Sequence, residues 1–118
     1  MPKNIIYHNP RCSKSRETLK LLHENDVSVQ IIEYLKTPPN VEELNAICTK
    51  LGMQPQELIR SKEKRFKELG LSLKDERSRE EWLQIMVQNP KLIERPIVLY
   101  NDKAEIGRPP ERVLRLVK

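Results

Sequence analysis

The chain has 118 residues, enough for one domain that buries a core without help from a metal or disulfides. Its net charge of +5 is dispersed among acids, as in Lys62-Glu63-Lys64-Arg65 and around Arg77, Arg79, Glu80 and Glu81, which is the pattern of solvated helix faces. That pattern argues against a nucleic acid partner and favours a small anion. With two cysteines, no signal-like apolar core at the N-terminus and no apolar run near membrane-span length, the sequence predicts a cytoplasmic protein with two free thiols and no membrane partner.

Ile5-Ile6-Tyr7 reads as a buried strand that stops at His8-Asn9-Pro10. Ser13 to Asn25 follows with helical character, Leu19, Leu21 and Leu22 inward and Lys14, Arg16, Glu17, Lys20 and Glu24 outward. Val27, Val29 and Ile31 alternate with polar residues and predict a second strand. Thr37-Pro38-Pro39-Asn40 breaks the chain before a helix over Val41–Leu51, with Leu44, Ile47, Cys48 and Leu51 as its stripe and Gly52 as its stop. From Pro55 to Gln88 the pattern is helical and polar, punctuated by Gly70 and by Ser72 to Ser78.

Ile97-Val98-Leu99-Tyr100 is the clearest strand. A tight turn at Asn101-Asp102-Lys103 returns it through Ala104-Glu105-Ile106. Gly107-Arg108-Pro109-Pro110 then leads into a final helix with Val113, Leu114 and Val117 inward. The order β-α-β, helical middle, β-β-α is that of an α/β thioredoxin-like (glutaredoxin-like) fold. It predicts a single domain: a mixed sheet from residues of about 1–40 and 90–118, with a helical insertion over about 41–89.

Chemistry concentrates in His8-Asn9-Pro10-Arg11-Cys12-Ser13-Lys14-Ser15. Cys12 falls where the loop enters the first helix, with Arg11 and Lys14 beside it and His8 as a further source of positive charge when protonated. A thiolate is the reactive form, and a helix N-terminus or nearby cations favour it. The same helix entrance suits an anion. A cysteine phosphatase loop needs an arginine six positions after its cysteine, and that position holds Thr18. Ser15 in the Cys-x-x-Ser sequence closes no disulfide with Cys12. Cys48 sits at core spacing and reads as structural, so a second thiol has to come from another molecule.

His8 to Arg16 resembles the signature of the glutaredoxin-dependent arsenate reductase family. Leu58-Ile59-Arg60 is similar to that family's middle arginine site, Asn89 to Ile97 to its arginine-proline loop, and Ile106-Gly107-Arg108-Pro109-Pro110-Glu111 to its closing motif. The resemblance runs in order along nearly the whole chain. It implies a thioredoxin-like fold, reduction of arsenate to arsenite, and glutathione and glutaredoxin as electron donors. Glutathione then acts as a co-substrate; no bound cofactor and no metal are required. Carried over motif by motif, Cys12 is the nucleophile, His8 and Ser15 help to keep its thiol ionised, and Arg60, Arg95 and Arg108 bind the oxyanion. Pro96 resembles the family's cis-proline.

Arginine's planar fork suits a tetrahedral oxyanion and offsets the repulsion between it and an attacking thiolate. Two alternatives share the fold. A general glutathione-dependent thiol reductase has no use for three oxyanion-binding arginines. Spx-like redox regulators, which bind RNA polymerase, often carry a Cys-x-x-Cys pair that Ser15 breaks here.

Overall fold

The structure, a computed structural model, describes residues 4–117. The first apolar run forms β1, Ile5–His8, one residue longer than its apolar character predicts, because His8 still pairs with a neighbouring strand. β1 is flanked by β2, Gln30–Glu33, in parallel (Ile6 opposite Ile31, His8 opposite Glu33), and by β3, Ile97–Tyr100, antiparallel (Ile6 opposite Val98). β4, Lys103–Ile106, completes a hairpin with β3, giving the sheet order β2-β1-β3-β4. Asn101 and Asp102 both have positive φ, 49° and 65°, which these residues tolerate and which a two-residue hairpin turn of this hand requires. This is the mixed sheet of a thioredoxin-like fold.

Two compact units divide the described residues. One runs to Thr37 and resumes at Arg95; the other is Pro38–Glu94. In the first unit, helix α1, Ser13–Glu24, packs beside the sheet, and Leu22, Ile6, Val27, Val98, Val113 and Leu116 form its apolar cluster. Truncating a fully buried leucine such as Leu22 to alanine costs about 2–5 kcal/mol.

The second strand begins later than the Val27-Val29-Ile31 alternation predicts. Val27 is buried in the core as the chain leaves α1, its N–H donating to the Leu22 carbonyl (2.8 Å), and Ile31 is exposed. Pairing starts at Gln30, whose N–H reaches the Asn4 carbonyl (2.7 Å), and β2 is an edge strand, so its apolar residues need not be covered. The C-terminal segment also differs from expectation. Pro110–Leu116 is a 3-10 helix, and its buried residues are Pro110, Val113 and Leu116, with Leu114 and Val117 only partly buried. A spacing of three places those side chains one above another on a 3-10 helix.

In the second unit α2, Val41–Leu51, begins at a capping box in which Asn40 Oδ1 accepts the Glu43 N–H and Glu43 Oε1 accepts the Asn40 N–H. It ends at Gly52, whose φ of 68° is the left-handed stop. The long polar stretch resolves into α3 (Pro55–Leu58), α4 (Lys64–Glu68) and α5 (Arg79–Gln88), the last with a Ser78–Glu81 capping box. Leu44, Ile47, Cys48, Leu58, Trp82 and Met86 are buried here. Among the described residues no helix is long and apolar enough to cross a membrane.

Candidate active site

Asn9 organises the loop between β1 and α1. Its carbonyl accepts the Cys12 N–H (3.0 Å), its Oδ1 accepts the Arg11 N–H (3.0 Å), and its own N–H donates to Ser15 Oγ (3.0 Å). These bonds bring Cys12 to the N-cap of α1 with an extended backbone, φ −95° and ψ 123°. The Cys12 side chain makes no capping bond, so the sulfur stands at the positive end of the helix. Cys12 is 9% exposed, which leaves a narrow face for a reactant.

Arg108 reaches this sulfur, Nη2 donating to Cys12 Sγ at 3.6 Å. Its Nε donates to the Arg95 carbonyl at 2.7 Å, which sets the plane of the fork. Arg95 and Arg108 are half-buried, and each precedes a cis proline, Pro96 and Pro109. Gly107 permits the close approach that delivers Arg108: a Cβ there would collide with Thr18 Oγ1 and lie 2.8 Å from Pro96 Cγ. Thr18, fully buried, is held by its own bond to the Lys14 carbonyl (2.8 Å).

The face of α1 turned inward is therefore Ser15, Thr18 and Leu22; Leu19 and Leu21, expected there, are only partly buried. Ser15 and Thr18 can be buried because their hydroxyls are bonded. Ser15 Oγ lies 2.6 Å from His8 Nδ1, and both residues are buried. Burial pushes the His8 imidazole below its ordinary value of 6.5; Glu33 opposes this, and Arg16 reinforces it. Burial thus favours the neutral ring over the positive charge that its place in the sequence suggests. Arg11 and Lys14 are exposed, and the Arg16 guanidinium is tied to the Pro10 carbonyl (2.9 Å).

Arg60 belongs to the Pro38–Glu94 unit. Its Nη1 donates to Glu63 Oε2 (2.7 Å), and its Nε is 3.5 Å from Glu94 Oε1. Cys48 is fully buried in α2, and burial pushes its thiol up, with Arg79 opposing. Among the described residues no group of three His, Cys, Asp or Glu side chains could hold a metal ion.

One unit thus gathers His8, Cys12, Ser15, Arg95 and Arg108, a thiol with a helix terminus and a guanidinium trained on it. Such a set can hold an oxyanion against an attacking sulfur. Asn9, Gly107 and Thr18 are the supporting residues that sequence reasoning passed over. Asn-Pro before a helix is a local signal for the first; nothing local marks the other two, which matter only because distant segments meet.

The sequence model of the ArsC family matches residues 7–116. The chain is 55% identical to the uncharacterized protein YfgD of Escherichia coli, over 99% of each chain. It is 44% identical to an arsenate reductase of Neisseria meningitidis, covering 96% of this chain and 97% of that one. Among solved structures, an arsenate reductase from Vibrio cholerae superposes with a TM-score of 0.90 at 47% identity, covering 98% of both chains.

Proposed function

The chain belongs to the ArsC family, and on that premise we propose that it reduces arsenate to arsenite through Cys12, with glutathione and glutaredoxin supplying the electrons. The observation that carries the proposal is the approach of Arg108 Nη2 to Cys12 Sγ at the start of α1. The names of the relatives support arsenate as the substrate.

In the proposed reaction the Cys12 thiolate attacks arsenic(V), and one arsenate oxygen leaves as water after taking up protons. Arg108 and Arg95 hold the remaining oxygens. The family resemblance supports Arg60 as a third ligand. Glutathione sulfur then forms a disulfide with Cys12 as the arsenic–sulfur bond breaks. The pair of electrons in that bond stays with arsenic, which leaves as arsenite. Two thiols have lost two electrons in total, and arsenic(V) has become arsenic(III). Glutaredoxin takes the glutathione by thiol exchange and restores Cys12. The scheme suits a reducing compartment such as the cytoplasm.

Two features support an outside thiol. Ser15 stands where a two-thiol motif has its second cysteine, and Cys48 is sealed within α2. A cavity of about 360 Å³ beside the loop is lined by Arg11 and by Lys36, whose Nζ is 3.5 Å from Glu33 Oε1 in the same lining, and Arg11 is the cation in it that suits a carboxylate of glutathione. The test is NADPH consumption with arsenate, glutathione, glutaredoxin and glutathione reductase. Arsenate-dependent turnover is expected from the native chain; its absence from a folded protein would overturn the proposal.

A further inference from the structure

Arg108 sits in a short loop, Gly107 to Pro109, between β4 and the 3-10 helix Pro110–Leu116, all within the unit that holds Cys12. The two sides of that loop are held differently. On the upstream side the Gly107 N–H donates to the Pro96 carbonyl (2.9 Å), and Ile106 pairs with Ile97 in the sheet. On the downstream side Pro109 and Pro110 have no N–H to donate. The Arg112 N–H donates to the Pro109 carbonyl (3.0 Å), a bond that stays within the turn. Burial of Pro110 and Val113 anchors this side to the core, but apolar burial is non-directional.

Direction comes from a side-chain pair. Arg112 Nη2 lies 3.0 Å from Glu105 Oε2. Glu105 is fixed on β4 opposite Val98, so the ion pair ties the downstream side of the loop back to the strand that enters it. The Glu105 side chain is 15% exposed and that of Arg112 44%, so the pair is screened less than one lying fully in solvent. Among the described residues neither has a second ion-pair partner, so the pair as a whole is neutral. We propose that Glu105 and Arg112 are positioning residues for the oxyanion site: their ion pair closes the loop and holds the Arg108 guanidinium on the Cys12 sulfur. The inference rests on the arsenate reductase reading for the identity of the anion. The geometry it concerns, Arg108 Nη2 at 3.6 Å from Sγ and Nε at 2.7 Å from the Arg95 carbonyl, needs no substrate. Without the pair the loop pivots about its Gly107 side, and a fork held at Nε alone turns Nη2 away from the sulfur.

The experiment alkylates the reduced, intact chain with iodoacetate and, separately, with iodoacetamide, at one pH and low salt. In each reaction the Cys12 thiolate forms a carbon–sulfur bond and iodide leaves. Both reagents meet the same thiolate, so the ratio of their rates reads the positive charge presented at the sulfur. Cys48 has no exposed surface, and mass spectrometry checks that one site is modified. Arg108→Ala is expected to lower the iodoacetate-to-iodoacetamide ratio about 3- to 5-fold, the worth of one cation a few ångströms away in a largely aqueous setting. Glu105→Ala and Arg112→Ala are expected to lower it about 2- to 3-fold by the same route. Glu105→Gln, which keeps an oxygen for Nη2, is expected to lower it less. Adding Glu105→Ala to Arg108→Ala is expected to change the ratio no further. In the coupled assay kcat/KM for arsenate is expected to fall about 10-fold in both alanine variants, through displacement of a positioned group. Circular dichroism checks the fold; where an alanine variant does not fold, Glu105→Gln and Arg112→Gln decide by the same ratio. A native ratio in the folded variants overturns the inference and leaves the reductase reading standing. A further fall in the Arg108→Ala background also overturns it, since the pair then acts on the sulfur by another route. A native chain without arsenate turnover overturns the reductase reading, and the alkylation ratio still decides the inference.

Discussion

Arg108 and Cys12, 96 residues apart in sequence, meet with Nη2 3.6 Å from Sγ, and the same guanidinium is anchored through Nε to the Arg95 carbonyl at 2.7 Å. Both bonds depend on the planar fork. Arg108→Lys keeps the charge and loses that geometry. Arsenate-dependent turnover is expected to fall by about 10²-fold in both Arg108→Lys and Arg108→Ala, the scale for loss of one preorganised oxyanion donor. Coupled NADPH rates check it. Full activity in the lysine variant would reduce Arg108 to a point charge.

The two cysteines are expected to part company. Cys12→Ser should abolish arsenate turnover. Cys48→Ala should leave it largely intact and cost about 1–2 kcal/mol of stability through the small cavity left in α2. Denaturant titration beside the coupled assay separates the effects, and a Cys48→Ala protein that folds yet is inactive would sink the external-thiol scheme.

His8 makes stability depend on pH with a definite sign. The unfolded imidazole titrates near 6.5, and the buried one titrates lower. Between those two values the unfolded chain holds a proton that the folded chain does not, so stability rises with pH across that window. The buried neutral ring therefore exacts no penalty above about 6.5, and stability is lost on acidification below it. Melting temperatures from pH 7.5 to 5 should fall more steeply for the native protein than for His8→Asn. Parallel curves would show that His8 is not held neutral.

Ser15→Ala removes one oxygen that serves both His8 Nδ1 and the Asn9 N–H in a buried setting. Two polar groups lose their partner, and the expected cost is about 2–3 kcal/mol. Urea unfolding reads it directly; a loss below about 0.5 kcal/mol would mean that water replaces the hydroxyl without penalty.

Gly107→Ala should destabilise by about 1–3 kcal/mol and lower turnover, because the new methyl meets Thr18 Oγ1 and Pro96 Cγ beside the Arg108 attachment. Thr18→Ala in the same chain should recover part of that loss. Strict additivity in the double variant would show that the two sites do not touch.

Local pattern made Cys12 legible: an apolar strand, a polar loop ending in Asn-Pro, and then a helix. The β3-β4 hairpin was legible for the same reason, since Asn101-Asp102 suits a positive-φ turn. What escaped was set by contacts between distant segments. His8 reads in sequence as a source of charge when protonated, yet burial favours its neutral form. Ser15 and Thr18 have no place in the inward stripe of Leu19, Leu21 and Leu22 that the sequence predicts, yet both face inward, because their hydroxyls find partners that composition does not reveal. The C-terminal segment was misread for a different reason. Val113, Leu114 and Val117 fit an α-helical stripe, but Pro110, Val113 and Leu116 at intervals of three are the residues a tighter helix buries.

Cys48 lies in α2 with no exposed surface. A catalyst whose second sulfur is walled off in this way has no internal reserve of reducing power. After each cycle of the proposed reaction it waits, capped, until another molecule meets it. Its pace is then set by the abundance of small thiols around it as much as by its own active site. In a cell depleted of glutathione the protein would stop one step earlier, as the Cys12–arsenic adduct, whereas with glutathione present and glutaredoxin short it would accumulate in the glutathione-capped form, making the balance of the two forms a gauge of which electron donor is lacking.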